Sequence, residues 1–164
     1  CGKRALGCRT QGPQRSQPSE TLQLVKPRFL LDTSVLSEPL KAEPHPGVLE
    51  RLKRHSARLC TCTVVWHELS YGAHRLPTSK RREAIRRYLG SVVLGELPIF
   101  SYDLKAAEYH ATARAHLASA GLMPSFADGQ IASIAVTNEL VLVTRNVSDF
   151  KRFADLTVQN WFEM

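Results

Sequence analysis

Three acidic residues stand in settings where a carboxylate is unfavourable unless a positive group meets it. Asp32 follows an apolar segment, Glu68 lies within one, and Asp128 opens another. An unpaired charge in apolar surroundings is costly. Carboxylates that converge repel one another until a cation binds among them. The pattern therefore predicts a divalent-cation site of the kind that supports phosphodiester hydrolysis.

Each acid also has a purely structural interpretation. Asp32 is a suitable N-cap for the turn that begins at Thr33, and Asp128 follows Ser125 with the spacing of a capping box. Glu68 falls within the apolar stripe of its predicted helix, although a carboxylate at the rim of that stripe is an alternative. A cap does not exclude a site, because an acid in the first turn projects beyond the helix end.

The neighbouring side chains indicate which cation is suited to the acids. Mg²⁺ prefers oxygen ligands and is often held by only a few carboxylates. Cys60 and Cys62 share one face of a predicted strand, where we expect small apolar residues away from the acids and no zinc site. His67 neighbours Glu68, but adjacent side chains on a helix diverge by about 100°. A hard cation is therefore favoured.

Composition indicates one globular domain with a tail. The chain has 164 residues, 43% of them hydrophobic, and a net charge of +7 that is compatible with a polyanionic partner. Residues 1–25, rich in Gly, Pro, Gln, Ser and Arg, are expected to be a disordered or extraneous N-terminal extension, and residues 26–164 to be the domain. The sequence shows no membrane span, signal-peptide core or disulfide framework, so a reducing cytoplasmic location is expected.

Strands and helices alternate along the domain. The predicted strands cover about residues 28–32, 57–63, 97–101, 140–144 and 156–159, and the predicted helices about 47–56, 64–75, 78–93, 103–120 and 126–138, with a helical turn after Asp32 and a loop or turn at 146–150. Short apolar strands between helices are typical of an α/β fold with a parallel sheet covered on both faces. Ligands bind such sheets at the carboxyl ends of the strands.

Four segments together resemble the motifs of PIN-domain ribonucleases, especially the VapC- and FitB-like toxins of type II toxin–antitoxin systems. They are residues 30–38 (LLDTSVLSE), 63–69 (TVVWHEL), 126–135 (FADGQIASIA) and 140–150 (LVLVTRNVSDF). Each motif is weak alone, but their order and spacing agree over about residues 28–160.

The resemblance implies a three-layer α/β/α domain with a central, mostly parallel sheet. It also implies endonucleolytic cleavage of RNA that depends on Mg²⁺ or Mn²⁺. The implied partners are a second copy of the chain in a homodimer, a VapB-like antitoxin, and promoter DNA contacted only through the antitoxin complex; a membrane is not among them.

Carried over residue by residue, the resemblance makes Asp32, Glu68 and Asp128 the metal-binding acids. Asn146 stands where many family members have a fourth acid, and Asp149, three residues later, is the alternative source of that charge. Either residue completes the predicted catalytic set; Asp149 as the cap of a short turn is the structural alternative.

Three further residues are expected to assist the acids. The hydroxyl of Ser34 can orient an acid or a water, Thr144 can hold a metal-bound water, and Arg145 can contact a substrate phosphate. Gly129 stands where Ala is common in the family.

Other functions remain open on the sequence alone. The neutral Asn146 motivates a PIN-fold interaction module that cleaves little and acts with an antitoxin at promoter DNA. A metal-dependent phosphatase or another small-molecule hydrolase is a third interpretation. The basic helix at 78–93 either guides RNA or forms a solvated charged face.

Overall fold

Five parallel strands form the centre of the molecule. The computed structural model describes residues 25–163, so all but the last residue of the predicted N-terminal extension lies outside the described part. The strands are β1 (Phe29–Leu31), β2 (Leu59–Cys62), β3 (Ile99–Phe100), β4 (Val141–Val143) and β5 (Val158–Gln159), in the spatial order β3-β2-β1-β4-β5. Every pairing is parallel, which confirms the predicted α/β sheet.

Helices cover both faces of the sheet. They are α1 (Thr33–Leu36), α2 (Pro46–Arg54), α3 (Thr63–Arg75), α4 (Lys80–Tyr88), α5 (Leu94–Glu96), α6 (Leu104–Ser119), α7 (Phe126–Thr137) and α8 (Val147–Phe150), with 3-10 turns at Glu38–Leu40 and Ser56–Arg58. Within residues 25–163, no helix is long and apolar enough to cross a membrane.

The central strands β1 and β2 are buried on both faces. All three residues of β1 and all four of β2 are buried. Thr61 is as buried as Cys60 and Cys62, and its hydroxyl donates to the Leu31 carbonyl at 3.1 Å, which satisfies this polar group inside the core. The polar–apolar alternation in β2 therefore does not mark an exposed face.

Two predicted elements differ from the observed ones. The single helix predicted at 78–93 is α4 followed by one wide, π-type turn at Leu89–Val93, which places both Leu89 and Val93 in the core. The loop or turn predicted at 146–150 contains a short helix, α8. In α2, Val48 is buried, whereas the adjacent Leu49 is 37% exposed.

The strand order creates a crevice beside β1. This strand pairs with β2 on one side and with β4 on the other. From β1 the chain builds β2 and β3 on one side of the sheet and then crosses to the other side of β1 to build β4 and β5. The backbone N–H of Asp32 donates to the Val143 carbonyl at 3.0 Å, which holds the carboxyl ends of β1 and β4 together. In open parallel sheets this is where ligands bind.

Candidate active site

Asp32 occupies the N-cap position of α1 without acting as a side-chain cap. Its backbone is extended, and no cap hydrogen bond joins its carboxylate to the helix. Its Oδ2 atom instead accepts hydrogen bonds from the Thr144 hydroxyl at 2.7 Å and the Ser34 hydroxyl at 3.1 Å. The capping interpretation of Asp32 is therefore wrong, and the carboxylate is oriented toward the end of β4.

Two hydroxyls connect Asp32 to the loop that follows β4. The buried Thr144 hydroxyl accepts from the backbone N–H of Asn146 at 3.1 Å. The Ser34 hydroxyl accepts from the backbone N–H of Arg145 at 3.1 Å. Each hydroxyl thus accepts one hydrogen bond and donates another to Asp32, so both the loop and the carboxylate have defined positions.

Glu68 lies on α3 beside the buried residues Val65 and Leu69, and is itself half-buried. Thr33, immediately after Asp32, donates its hydroxyl hydrogen to Glu68 Oε2 at 2.5 Å. This contact places Glu68 against α1 rather than at a solvated rim. Thr33 was predicted only to begin a turn, and its position next to Asp32 is the signal that could have identified this contact.

Asp128 takes part in the predicted capping box at the start of α7. Ser125 Oγ accepts from the Asp128 backbone N–H at 3.0 Å and donates to Asp128 Oδ2 at 2.6 Å. Burial raises the pKa of this carboxyl above its usual value, the Ser125 hydrogen bond opposes the rise, and repulsion from Asp32 and Asp149 adds to it. Asp128 therefore supports the Ser125 cap of α7 and is also a member of a group of mutually repelling acids.

Asn146 and Asp149 form a pair across the first turn of α8. Asn146 Nδ2 donates to Asp149 Oδ2, and Ser148 Oγ donates to Asn146 Oδ1 at 3.3 Å. Asn146 holds the N-cap position of this helix, and no side-chain cap hydrogen bond is made there. Asp149 therefore lies close to Asp128, with Asn146 holding its carboxylate.

Arg145 and His67 lie at the outside of the acid group. Arg145 is exposed, and its guanidinium lies 5.2 Å from the centre of the Phe162 ring. His67 is exposed and stacks on Tyr71, with ring centres 6.2 Å apart. The stacking explains why a histidine adjacent to Glu68 in sequence is not joined to it in space.

Cys62 corrects one expectation. This buried thiol was predicted to lie away from the acids, yet it is close enough to Asp32 and Glu68 to experience their charge. Burial, with a smaller contribution from the two acids, raises the pKa of Cys62 to about 11. It therefore stays protonated at neutral pH, and a protonated thiol is a poor metal ligand. Burial likewise raises the pKa of Cys60 to about 12.

The donor set consists of hard oxygen atoms. Among residues 25–163, no three side chains of His, Cys, Asp or Glu are gathered closely enough to hold an ion as they stand. The oxygens and the repulsion at Asp128 nevertheless fit a hard divalent cation, which would offset that repulsion. Soft metals prefer thiolate and imidazole ligands, whereas the acid group offers carboxylate oxygens.

Known proteins share this architecture. The family model of the PIN domain matches residues 29–156. The tRNA(fMet)-specific endonuclease VapC of Salmonella typhimurium is 29% identical over 82% of this chain and 98% of its own length. Toxin FitB of Neisseria gonorrhoeae is 32% identical over 80% of this chain and 96% of its own. The DNA-bound VapBC structure from Salmonella typhimurium matches with a TM-score of 0.73 and 29% identity, covering 82% of this chain and 98% of that chain.

Proposed function

The chain belongs to the PIN domain family, and from this premise we propose that it is a metal-dependent endoribonuclease, the toxin of a VapBC-type toxin–antitoxin module. The observation that carries the proposal is that acids from separate elements lie close enough to repel one another beside the β1–β4 crevice. Repulsion from Asp32 and Asp149 on Asp128 indicates this proximity, and the Thr33 contact adds Glu68 to the group. Mutually repelling oxygen donors in an open crevice suit a cation and an extended polyanion.

Asp32, Glu68 and Asp128 would hold Mg²⁺ or Mn²⁺, with Asp149 supplying the fourth charge. When bound, the cation supplies Lewis acidity and lowers the pKa of a coordinated water, which favours hydrolysis of a phosphodiester. The chain's own hydroxyls have a different task. Thr144 and Ser34 orient Asp32, so that its carboxylate is already directed before substrate arrives.

The loop after β4 connects the acids to the substrate side. Asn146 keeps the Asp149 carboxylate in place, and its backbone N–H is fixed by Thr144. Arg145 stands exposed at the same loop and would meet a backbone phosphate of the RNA. This arrangement supports an enzyme over an inactive interaction module, because Asp149 provides the charge that Asn146 lacks.

The relatives define the biological setting of the proposal. One relative is named as a tRNA(fMet)-specific endonuclease, and one solved complex is a toxin with its antitoxin on DNA. We assign this chain an RNA substrate in the cytoplasm, a VapB-like antitoxin that restrains it, a homodimeric state, and contact with promoter DNA through the antitoxin complex.

The test compares the wild type with Asp32→Asn on total RNA in Mg²⁺, in Mn²⁺ and in EDTA, with the antitoxin removed. Loss of this ligand should reduce cleavage by more than about 100-fold, because even a second-shell change costs about 10–100-fold in metal affinity or activity. Asp155→Asn is the matched control, because it makes the same chemical change at an exposed residue shortly before β5. This residue lies at the end of the sheet where the parallel strands begin, whereas Asp32 lies at the end where they finish.

Product ends distinguish the mechanisms. Metal-dependent hydrolysis leaves a 5′-phosphate and a 3′-hydroxyl, and cleavage should stop in EDTA. Equal cleavage in EDTA that yields a cyclic phosphate would refute the metal mechanism. A folded wild type that binds the cation but leaves all RNA intact would instead favour the interaction module, and Asn146→Asp would then be the variant to compare.

A further inference from the structure

The C-terminal segment, residues 160–163, lies beside the loop that carries Arg145. It follows β5 directly and is anchored by Trp161, which is 2% exposed. The Trp161 indole packs on Phe29 of β1, with ring centres 5.4 Å apart. Detaching the segment would expose this large apolar surface, so the segment is fixed to the core.

Hydrogen bonds define the backbone on both sides of this anchor. Asn160 Oδ1 accepts from the backbone N–H of Phe162 at 3.0 Å, and Asn160 Nδ2 donates to Glu163 Oε1 at 2.8 Å. Arg51 of α2 donates to the carbonyls of Asn160 at 3.3 Å and Glu163 at 3.4 Å. The Phe162 side chain therefore projects from a backbone whose position is defined.

The half-buried Phe162 ring contacts two cations. The central guanidinium carbon of Arg145 lies 5.2 Å from the ring centre, and Lys41 Nζ lies 6.0 Å from it. Lys41 also pairs at 2.6 Å with Glu38, a buried carboxylate that compensates its charge. Within residues 25–163, no carboxylate forms an ion pair with Arg145, which is exposed. Arg145 is therefore the cation on this ring that is available to an anion.

Hydrogen bonds connect Arg145 to the acids. Its backbone N–H donates to Ser34 Oγ at 3.1 Å, and the same hydroxyl donates to Asp32 Oδ2 at 3.1 Å. The backbone of Arg145 is thus two hydrogen bonds away from a carboxylate proposed to hold the cation. A long side chain loses rotamer freedom when it binds a ligand, and a ring that already holds the guanidinium reduces that loss.

We propose that Phe162 is a positioning residue for Arg145: its ring holds the guanidinium beside the Asp32 end of the crevice, where the guanidinium binds a phosphate of single-stranded RNA. This inference rests on the proposed nuclease function and adds the C-terminal segment to its substrate site. A guanidinium that stacks on an aromatic ring can still present its planar fork of N–H donors to two phosphate oxygens.

The experiment is a double-mutant cycle that measures RNA binding without cleavage. The probe is a fluorescein-labelled single-stranded RNA oligonucleotide, and its anisotropy is followed in EDTA over about 50–300 mM KCl. Arg145→Met should weaken binding by about tenfold and reduce the slope of log K against log salt by about 0.7, the value for one phosphate contact on a single strand. Phe162→Leu should weaken binding by about two- to fivefold, the contribution of an exposed cation–π contact.

The double variant separates positioning from packing. Adding Phe162→Leu to Arg145→Met should change the affinity no further, because the ring acts only through the guanidinium. A merely structural role of Phe162, or direct stacking of a base on its ring, would weaken binding equally in both backgrounds. Phe162→Tyr keeps the ring and should bind RNA more tightly than Phe162→Leu.

Arg58→Met is the matched control for loss of one positive charge. Arg58 is an exposed arginine just before β2, at the end of the sheet where the parallel strands begin. Its replacement should leave both the affinity and the salt slope as in the wild type. If Phe162→Leu fails to fold, Phe162→Met takes its place in the cycle, because a flexible thioether fills an irregular gap without providing a ring.

Three results would overturn the inference. One is an Arg145→Met protein, altered only at an exposed side chain, that binds RNA like Arg58→Met. Another is a Phe162 variant whose effect is the same with and without Arg145. The third is a wild type that binds no RNA even at about 50 mM KCl. Failure of the nuclease proposal is distinguishable, because it appears as absent cleavage in Mg²⁺ while the coupling measured in EDTA persists.

Discussion

Gly129→Ala should destabilise this protein even though alanine is normally the better helix residue. Gly129 lies in the second half of the first turn of α7, immediately after Asp128. A methyl group there would lie 2.2 Å from Nε2 of His110 and 2.8 Å from its Cδ2. The ring is 3% exposed, and its Nδ1 is 2.9 Å from the Tyr102 hydroxyl. It therefore cannot swing into solvent to make room.

The magnitude follows from two opposing effects. Replacing glycine by alanine within a helix is worth about 1 kcal/mol in favour of alanine. Overpacking a core site costs about 1–3 kcal/mol, and loss of the hydrogen bond between His110 and Tyr102 adds about 1 kcal/mol. The destabilising effects are larger than the gain in helix propensity, so the free energy of unfolding should fall by about 1–3 kcal/mol. For a chain of this size that corresponds to about 2–4 °C in melting temperature per kcal/mol.

Gly72→Ala provides the control. Gly72 lies within α3 and has no atom within 4 Å of the position of an added methyl group, so this variant should equal or exceed the wild type in stability. Urea unfolding of both variants measures the difference. His110→Ala in the Gly129→Ala background should restore part of the loss, with a coupling of about 1–2 kcal/mol. A Gly129→Ala protein as stable as Gly72→Ala would refute the packing argument.

Two further predictions concern the acids and the hydroxyls around them. The raised pKa of Asp128 means that its carboxyl binds a proton more tightly in the folded state than in the unfolded state. The charged carboxylate therefore destabilises the fold at pH values above the folded-state pKa. This destabilisation disappears as the pH falls through the folded-state pKa to the ordinary pKa of the unfolded chain. In EDTA, Asp128→Asn should therefore have a higher melting temperature than the wild type at neutral pH and the same melting temperature in acid. Mg²⁺ at ten times its Kd should raise the free energy of unfolding of the wild type alone, by about 1.4 kcal/mol. A variant that melts below the wild type in EDTA at neutral pH would contradict the predicted direction of the stability change. Thr144→Val keeps the side-chain shape but removes one of the two hydroxyl donors to Asp32 and leaves the N–H of Asn146 without a partner, so urea unfolding should show a loss of about 1–3 kcal/mol, against less for Ser34→Ala at a half-exposed hydroxyl. Equal stability of Thr144→Val and the wild type would show that these hydrogen bonds contribute nothing.

Local signals in the sequence were sufficient for much of the secondary structure and for part of the site. The capping box of Ser125 and Asp128 was readable because both of its hydrogen bonds close within one turn. The buried strands were readable because β1 and β4 consist of apolar residues. Polarity also marked Glu68 as unusual, because it interrupts an apolar helix stripe. Each of these features depends on residues close together in the chain.

The errors occurred where distant packing decides a local conformation. The helix predicted at 78–93 contains a wide turn because Leu89 and Val93 both reach the core there. Cys62 was predicted to lie away from the acids because the pattern of its strand carries no information about how α3 brings Glu68 close to it. The contact between His110 and Gly129 could not be predicted for the same reason, because the two residues meet only when α6 packs on α7.

The sequence by itself determined which side chains are available for the proposed chemistry, namely the acids and their order along the chain, and it determined the alternation of strands and helices that makes a parallel sheet. The tertiary structure alone decided which of them meet. Asp32 and Thr144 are far apart in the chain, and they share a hydrogen bond because β1 and β4 are neighbours in the sheet. Side-chain chemistry is a property of each residue, whereas proximity depends on strand order and helix packing, which the whole chain establishes cooperatively.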